Sequence, residues 1–139
     1  MFKIVIASHG SVAEAMKKSV KLFFPDEEDI ITAKIDEEGL VPFQNKLDQI
    51  VQIIENQSVL FLVDVPYGTP FNEIVKRMVA VKKDSDILAG VNMPTLIEAI
   101  NLRNQNISLM EAIPKLIEVS QLQSYSEKLK AINKSEDDE

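Results

Sequence analysis

Two polar side chains in this chain stand at the ends of apolar runs, where a parallel sheet brings such side chains together. His9, the only histidine, follows the run Phe2–Ala7, and Asp64 ends the run Val59–Asp64. If these runs are neighbouring strands, Asp64 can accept a hydrogen bond from one ring nitrogen of His9. That bond fixes the tautomer and leaves the other nitrogen as a nucleophile or a base. Structural roles stay open for both residues, His9 in a hydrogen bond to a loop and Asp64 as a helix or turn cap.

The residues around His9 favour a negatively charged ligand. Gly10 allows the backbone to turn sharply, and Ser11 opens a predicted helix whose free N–H groups form an anion site. Thr69, at the start of another predicted helix, carries a hydroxyl that can bind a phosphate oxygen or serve only as a helix N-cap. Together these residues predict a histidine that handles a phosphoryl group.

Four apolar runs predict the strands that position these residues: Phe2–Ala7, Ile30–Ile35, Val59–Asp64 and Ile87–Val91. Three are continuously apolar, as in a parallel sheet covered on both faces, whereas Thr32 and Lys34 interrupt the second, which makes it the candidate edge strand. Between and after the strands, apolar residues repeat at spacings of three and four and predict helices. The alternation predicts an α/β fold with a doubly wound, mainly parallel sheet and helices on both faces.

Three of the predicted helices begin with a local signal. Ser11 with Glu14 matches a capping box, in which a hydroxyl and a carboxylate satisfy free backbone N–H groups, and Ser108 begins a second such box. Thr69 followed by Pro70 matches an N-cap with proline at the first helical position. These signals place the predicted helices directly after the polar residues that follow the strands.

Composition excludes several kinds of protein. The 139 residues contain no cysteine and one histidine, which rules out disulfides, thiolate chemistry and metal sites with two histidines. A net charge of −7 disfavours nucleic acid and anionic lipid as partners, and no apolar run is long enough to span a membrane. Because the sequence opens on a strand-like run and not on a signal-peptide pattern, we expect a cytoplasmic protein.

Several catalytic motifs are missing from the sequence. There is no Gly-x-Ser-x-Gly elbow of a hydrolase, no Gly-x-Gly-x-x-Gly dinucleotide fingerprint and no Walker A motif. The chain offers a histidine suited to phosphate but no cradle for a nucleotide. We therefore expect the phosphoryl group to come from another protein and not from ATP, and we expect no cofactor and no metal ion.

Four segments together resemble the IIA component of the mannose-family sugar phosphotransferase system. They stand in the family's order within residues 2–120 and include its phosphorylated histidine, its aspartate and a helix start. The segments are Ile4-Val5-Ile6-Ala7-Ser8-His9-Gly10, Leu60-Phe61-Leu62-Val63-Asp64, Gly68-Thr69-Pro70-Phe71-Asn72 and Ala89-Gly90-Val91-Asn92-Met93-Pro94.

The resemblance implies a phosphocarrier built on a four-stranded sheet of order 2-1-3-4. The phosphorylated histidine-containing phosphocarrier protein (HPr) gives its phosphoryl group to His9, which passes it to a histidine on a IIB component for sugar uptake. Asp64 orients His9, and Thr69 contacts the phosphoryl group. The implied phosphate-binding residues are Gly10, Ser11 and Gly68. The family also implies a homodimer, commonly with a C-terminal strand exchanged between subunits.

The chain departs from the family pattern near the aspartate. Where the family usually has two adjacent glycines before the Ser or Thr, this chain has Tyr67 and Gly68. Val65 and Pro66 follow Asp64 where the family often has a Thr or another residue. These residues predict a stiffer loop with an aromatic rim, and Val65 offers no hydroxyl to a phosphate.

The C-terminal part of the chain matches the family poorly. Four apolar residues there, here called the C-terminal stripe, are spaced by threes and fours: Leu122, Tyr125, Leu129 and Ile132. The spacing predicts a helix and not an exchanged strand. The stripe can be buried against a second copy of the chain, which predicts a homodimer, or fold back on its own sheet. We expect a IIA-like domain at 1–120, a helical or dimerisation extension at 121–134, and an acidic, disordered tail at 135–139.

Three other functions fit parts of the pattern. The phosphotransfer subunit of a dihydroxyacetone kinase shares the fold and the Ser-His start but lacks the Pro-Phe-Asn helix opening. A regulatory module that senses phosphorylation at His9 without passing it on stays open, as does a small enzyme with His9 as general base. Transfer to a IIB protein separates the relay from the sensor. Dependence on the phosphocarrier and not on ATP separates the relay from the enzyme.

Overall fold

The computed structural model describes residues 1–137, in which four strands form one parallel sheet. The strands are β1 (Lys3–His9), β2 (Ile30–Ile35), β3 (Val59–Val63) and β4 (Ser85–Ala89). Their order across the sheet is β2-β1-β3-β4, as the resemblance implies, and all three pairings are parallel. β1 therefore lies between β2 and β3, and β2 is an edge strand as its interrupted sequence predicts.

Six helices connect and follow the strands in the described part of the chain. They are α1 (Val12–Ser19), α2 (Leu40–Ile54), α3 (Thr69–Met78), α4 (Met93–Asn104), α5 (Leu109–Val119) and α6 (Tyr125–Asp137). A short 3-10 turn at Val20–Leu22 extends α1. The alternation of strand and helix over the first four strands is as predicted.

The two inner strands contribute side chains to two separate hydrophobic layers, because successive side chains on a strand point to opposite faces. Ile4 and Ile6 of β1 pack in the layer formed with α1, α4 and α5. Val5 and Ala7 pack in the layer formed with α2 and α3. The predicted doubly wound fold with helices on both faces is confirmed.

The strand ends differ from the predictions by one or two residues. β1 continues two residues beyond Ala7, since His9 pairs with Ile35 on the neighbouring strand. β4 ends before the predicted Val91, because Gly90 turns the backbone at a φ of 77°. The longer β1 means that His9 is the last residue of a paired inner strand and not part of a free loop.

The predicted capping box at Ser11 is wrong. Ser11 occupies the N-cap position of α1, but its φ of −87° and ψ of 6° are far from the extended backbone of a capping residue, and its side chain makes no cap. The hydroxyl of Ser8 takes this role and accepts a hydrogen bond from the N–H of Ala13 at 2.8 Å. Ser8 is buried, so the bond joins the end of β1 to the start of α1 inside the protein.

The other two predicted helix starts have different outcomes. Ser108 caps α5, since its hydroxyl accepts a hydrogen bond from the N–H of Glu111 at 3.3 Å, which is one of the two bonds of the predicted capping box. The predicted N-cap at Thr69 is wrong: Gly68 is the N-cap, and Thr69 is the first residue of α3. This shift of one residue leaves the Thr69 hydroxyl on the first turn of α3.

A reciprocal cap at the start of α4 was not predicted. The Oδ1 atom of Asn92 accepts from the N–H of Thr95 at 3.1 Å, and the Thr95 hydroxyl accepts from the N–H of Asn92 at 3.2 Å. The Asn92 amide also donates to the carbonyl of Ser120 at 3.0 Å. These bonds fix the start of α4 and the end of α5 to each other, on the side of the sheet where the strands end.

The C-terminal stripe lies partly on a helix, α6, as predicted. Every described side chain from Gln121 to Glu136 is exposed, and Leu129 and Ile132 are 42% and 48% exposed. The alternative in which the stripe folds back on its own sheet is therefore wrong. Of the tail expected at 135–139, α6 includes residues up to Asp137, and residues 138–139 lie outside the described part. Among the described residues, no helix is both long and apolar enough to cross a membrane.

Candidate functional site at His9

His9 is held by its backbone at the carboxyl end of the sheet. Its N–H donates a hydrogen bond of 2.9 Å to the Oδ2 atom of Asp64. The next residue, Gly10, adopts a φ of 60° and donates its N–H to the carbonyl of Ile35 at 2.8 Å. The left-handed conformation at Gly10 turns the chain from β1 into α1, as expected of glycine. The backbone on both sides of the imidazole is thus fixed to β2 and to the residue after β3.

The imidazole of His9 is oriented by the same carboxylate oxygen. The ring Nδ1 lies 3.0 Å from Oδ2 of Asp64, which is the contact expected if β1 and β3 are neighbours. Because a carboxylate oxygen accepts hydrogen bonds, this contact favours the tautomer with the proton on Nδ1, in which Nε2 keeps its lone pair. The side chain of His9 is 48% exposed, whereas that of Asp64 is 16% exposed. The arrangement leaves Nε2 as the free nitrogen of an accessible ring.

Asp64 serves His9 and not a helix of its own. Both hydrogen bonds of its Oδ2 come from His9, which is 55 positions away in the sequence. Its Oδ1 atom is buried and has no hydrogen-bond partner among the described residues. The interpretation of Asp64 as a local helix or turn cap therefore has no support in its contacts.

Gly68 lies beside the Cε1 and Nε2 atoms of the His9 ring. A Cβ atom added to Gly68 would be 3.1 Å from Cε1 and 3.6 Å from Nε2 of His9. The first of these distances is shorter than an ordinary van der Waals contact, so a side chain at position 68 requires the imidazole to move by a few tenths of an ångström. The imidazole is thus bounded by a carboxylate on its Nδ1 side and by the backbone of Gly68 on its Cε1 side.

The loop before Gly68 is exposed and carries an aromatic side chain. Tyr67 has a φ of 60°, the left-handed conformation that favours glycine, at the position where the family pattern has the first of its two glycines. Its ring is 79% exposed and lies 4.9 Å, centroid to centroid, from the ring of Phe71. The Asn72 amide donates to the Tyr67 carbonyl at 3.1 Å. The predicted aromatic rim is present, and it rests on the first turn of α3.

The remaining predicted residues lie at two helix starts that follow the carboxyl ends of β1 and β3. Ser11 precedes α1, and Thr69 begins α3. The N–H groups in the first turn of a helix have no partner within the helix, and their partial positive charge attracts anions. The N–H of Gly10 already donates to a carbonyl, so the visible contribution of Gly10 is the turn. Phosphate contacts from Gly10, Ser11, Gly68 and Thr69 stay predictions.

The His9 site is open to solvent and lies away from the cavity at the other end of the sheet. A cavity of about 450 Å³, lined among others by Phe23, Glu27 and Arg103, lies at the amino-terminal end of the sheet. His9 lies at the carboxyl end, with the exposed side chains of Val12, Val65 and Tyr67 following the strands there. Within residues 1–137, no three His, Asp or Glu side chains are grouped to hold a metal ion. A half-exposed histidine on an open surface suits a macromolecular reaction partner.

Sequence reasoning overlooked two residues that build this site. Ser8 caps α1 in place of Ser11, and Asn72 anchors the Tyr67 loop. Asn72 was visible as part of the Gly-Thr-Pro-Phe-Asn segment, but no role followed from the pattern alone. A serine inside a strand gives no capping signal, because the contact depends on how β1 meets α1.

Comparison with known families gives one match over most of the chain. Residues 3–117 match the family EIIA-man, described as the PTS system fructose IIA component, where PTS denotes the phosphotransferase system. The match includes His9, Asp64 and the start of α3.

Similar proteins and structures carry related descriptions. The fructose-specific EIIA component of Bacillus subtilis (strain 168) is 33% identical over 142 residues, which cover 99% of this chain and 96% of that protein. The mannose-specific EIIAB component of Escherichia coli (strain K12) is 29% identical, over 95% of this chain and 41% of that longer protein. The crystal structure of a phosphotransferase system component EIIA from Streptococcus agalactiae superposes with a TM-score of 0.79 at 25% identity, covering 91% of this chain and 98% of that one.

Proposed function

The chain belongs to the EIIA-man family, the PTS system fructose IIA components, and is thus a component of a sugar phosphotransferase system; from this premise we propose that it carries a phosphoryl group on Nε2 of His9. The donor is the phosphorylated form of HPr, and the acceptor is a histidine of a IIB component. The observation that carries the proposal is the 3.0 Å contact between Nδ1 of His9 and Oδ2 of Asp64, which leaves Nε2 free.

The transfer step balances without moving a proton on this chain. The Nε2 lone pair attacks the phosphorus, the P–N bond to the donor imidazole breaks, and the donor ring leaves as a neutral imidazole. His9 then carries the phosphoryl group on Nε2 and keeps its proton on Nδ1, so its ring becomes a cation. Asp64 stabilises that cation through the hydrogen bond already in place. The reverse sequence on a IIB histidine returns His9 to its neutral form.

The surroundings of Nε2 suit a phosphoryl group during its transfer. Phosphoryl transfer passes through a loose transition state, so the protein contributes mainly position and hydrogen-bond donors. The starts of α1 and α3 supply backbone N–H groups at Ser11 and Thr69, and the Thr69 hydroxyl supplies a further donor. The sequence contains no Walker A or Gly-x-Gly-x-x-Gly motif, which supports a protein and not a nucleotide as the phosphoryl donor.

The partners follow from the exposure of the site. A ring that is 48% exposed on an open surface can meet a histidine of another protein, and the apolar side chains of Val65 and Tyr67 beside it give that protein a surface to contact. Both partners of a relay use the same nitrogen, so they bind in turn and not together. Such an exchange takes place in the cytoplasm.

A reconstituted relay tests this function. Phosphoenolpyruvate, the general phosphotransfer proteins and a cognate IIB component are mixed with the chain, and phosphate on each protein is followed in time. We expect label on this chain before label on IIB, and none on either when HPr is left out. Label that stays on this chain would indicate a sensor and not a relay, and label from ATP alone would indicate a different enzyme.

A further inference from the structure

The loop that closes one side of the His9 ring is held by few contacts. Val65 and Tyr67 are 46% and 79% exposed, so burial does not fix them. Tyr67 is also in the left-handed conformation, which costs free energy for a residue with a side chain. Two contacts from the first turn of α3 hold it there: the Phe71 ring against the Tyr67 ring, and the Asn72 amide on the Tyr67 carbonyl.

The bond from Asn72 sets the direction of one peptide unit. In a trans peptide the C=O and the following N–H point in opposite directions. Because the Tyr67 carbonyl points to the Asn72 amide at 3.1 Å, the N–H of Gly68 points away from Asn72. The N–H of Asn72 itself is bonded to the Gly68 carbonyl at 2.9 Å. Asn72 therefore holds Gly68 from both of its neighbouring peptide units.

Gly68 in turn bounds the reacting ring. The position of its missing Cβ lies 3.1 Å from Cε1 and 3.6 Å from Nε2 of His9. A small shift or a flip of the 67–68 peptide moves the Gly68 backbone beside Nε2. It also changes the direction in which the Gly68 N–H points. Asp64 contacts the ring at Nδ1 and not at Nε2.

We propose that Asn72 is a positioning residue for the phosphoryl transfer at His9, acting through the Tyr67–Gly68 peptide. The proposal rests on the proposed function of His9 as phosphoryl carrier. Asn72 keeps Tyr67 in the left-handed conformation and Gly68 against the Cε1 edge of the ring. A glycine at position 67 would make this restraint unnecessary, because glycine adopts the left-handed conformation without strain.

The test measures the His9 ring in the free protein and the transfer rate separately. His9 is the only histidine, so ¹⁵N-labelled histidine gives one pair of ring signals, which report the tautomer. At about pH 8.5, where an ordinary histidine is neutral, the wild type is expected to show a proton on Nδ1. Asn72→Ala, which leaves the Asp64 bond in place, is expected to shift the ring signals without changing the tautomer, and to slow transfer from phospho-HPr roughly three- to tenfold, the range of one lost hydrogen bond.

Two further variants separate positioning from other roles. Asn101→Ala removes an exposed helical asparagine that is bonded to Glu98 and lies away from the site. This variant is expected to change neither the His9 ring signals nor the transfer rate. The double variant Tyr67→Gly with Asn72→Ala is expected to recover most of the transfer rate, because a glycine at this position needs no anchor. In Asn72→Ala, kcat is expected to fall with little change in KM for phospho-HPr.

The outcomes are distinct. Wild-type ring signals and an unchanged kcat in Asn72→Ala overturn the proposal. So does a raised KM that Tyr67→Gly does not correct, since that result assigns Asn72 to direct contact with the donor. If the wild type accepts no phosphate at all, the proposed function fails, whereas the ring signals still decide whether Asn72 positions His9.

Discussion

One carboxylate oxygen of Asp64 accepts two hydrogen bonds from His9, one from its backbone N–H at 2.9 Å and one from its ring Nδ1 at 3.0 Å. The hydrogen bond from the backbone N–H fixes the position of the His9 backbone. The hydrogen bond from the ring fixes the orientation of the imidazole. The geometry joins the ends of β1 and β3 at the point where the chemistry is proposed. It also means that a change at Asp64 acts on tautomer and orientation together.

Asp64→Asn is expected to slow transfer roughly 10- to 100-fold, the range for a hydrogen bond to a charged group. The amide keeps the shape of the side chain but has no charge to stabilise the phosphorylated ring, and it can donate as well as accept. Stopped-flow or quench kinetics with phospho-HPr measure the rate, and thermal unfolding should change by only a few degrees. Asp26→Asn, in an exposed loop before β2, is the control and should behave as wild type. Unchanged kinetics in Asp64→Asn would reduce Asp64 to structural support.

Gly68→Ala is expected to impair transfer without unfolding the protein. Gly68 has a φ of −78° and a ψ of −179°, an extended conformation that alanine adopts freely. The new Cβ would lie 3.1 Å from Cε1 of His9, so the ring must move by a few tenths of an ångström. We expect a loss of several-fold in transfer rate with an unchanged free energy of unfolding, measured in urea. A variant as fast as wild type would show that the ring tolerates this displacement.

Glu73 links stability to pH through a buried cluster between α2 and α3. Its carboxylate is 7% exposed and lies 2.8 Å from Nη1 of Arg77. The hydrogen bond from Arg77, with smaller contributions from Gln44 and Lys76, holds the pKa of Glu73 below its ordinary value of 4.5, although burial opposes this. The folded state therefore binds the proton of Glu73 more weakly than the unfolded state. The stabilisation is complete above the ordinary pKa and is lost as pH falls through the folded pKa.

Glu73→Gln tests this dependence. Urea unfolding of wild type and variant from about pH 7 to about pH 3 should show a steeper loss of unfolding free energy on acidification in the wild type. The two curves should run parallel above about pH 5.5, where Glu73 is ionised in both states. An equal loss in both proteins at acid pH would contradict the role of Glu73.

The exposed helix α6 predicts a homodimer. A single helix of 13 residues is marginally stable in water, and the C-terminal stripe does not pack on its own sheet. Burial of the stripe against the same stripe of a second copy stabilises both helices through an isologous contact. Light scattering at tens of micromolar should give the dimer mass for the full chain and for a chain ending at Lys134.

Two further measurements define which part of α6 joins the copies. Leu129→Glu with Ile132→Glu places charges in the stripe and should yield monomers. Lys128→Glu, a charge change on the same helix outside the stripe, is the control and should stay dimeric. A monomeric full chain would contradict the dimer, and a dimer lost only on trimming the tail would contradict the role of the stripe.

The sequence predicted the architecture because burial leaves a clear pattern. Continuous apolar runs such as Val59–Val63 have few alternatives to a covered parallel strand, and the residues that end such runs must meet at one edge of the sheet. The order of the strands came from the resemblance and not from periodicity. His9 and Asp64 could be placed together on these grounds.

The details that the sequence did not predict depend on how elements meet in space. Ser11 looked like the better cap for α1, but the backbone there is nearly helical and the buried Ser8 takes the role from inside the strand. The left-handed Tyr67 was not predicted, because the local preference of tyrosine opposes it; the glycine of the family pattern at this position was the signal, and contacts from α3 stabilise the conformation. In each case a tertiary contact overrides a local preference.

The most direct measurement is the intact mass of the protein after incubation with phosphoenolpyruvate and the general phosphotransfer proteins. The proposal predicts one added phosphate on the wild type and none on His9→Ala. The phosphate should be lost in acid and kept in alkali, as expected for a bond to a histidine nitrogen. Phosphate that remains on His9→Ala, or a wild type that gains none although HPr is phosphorylated, would contradict the assignment of His9 as the phosphoryl carrier.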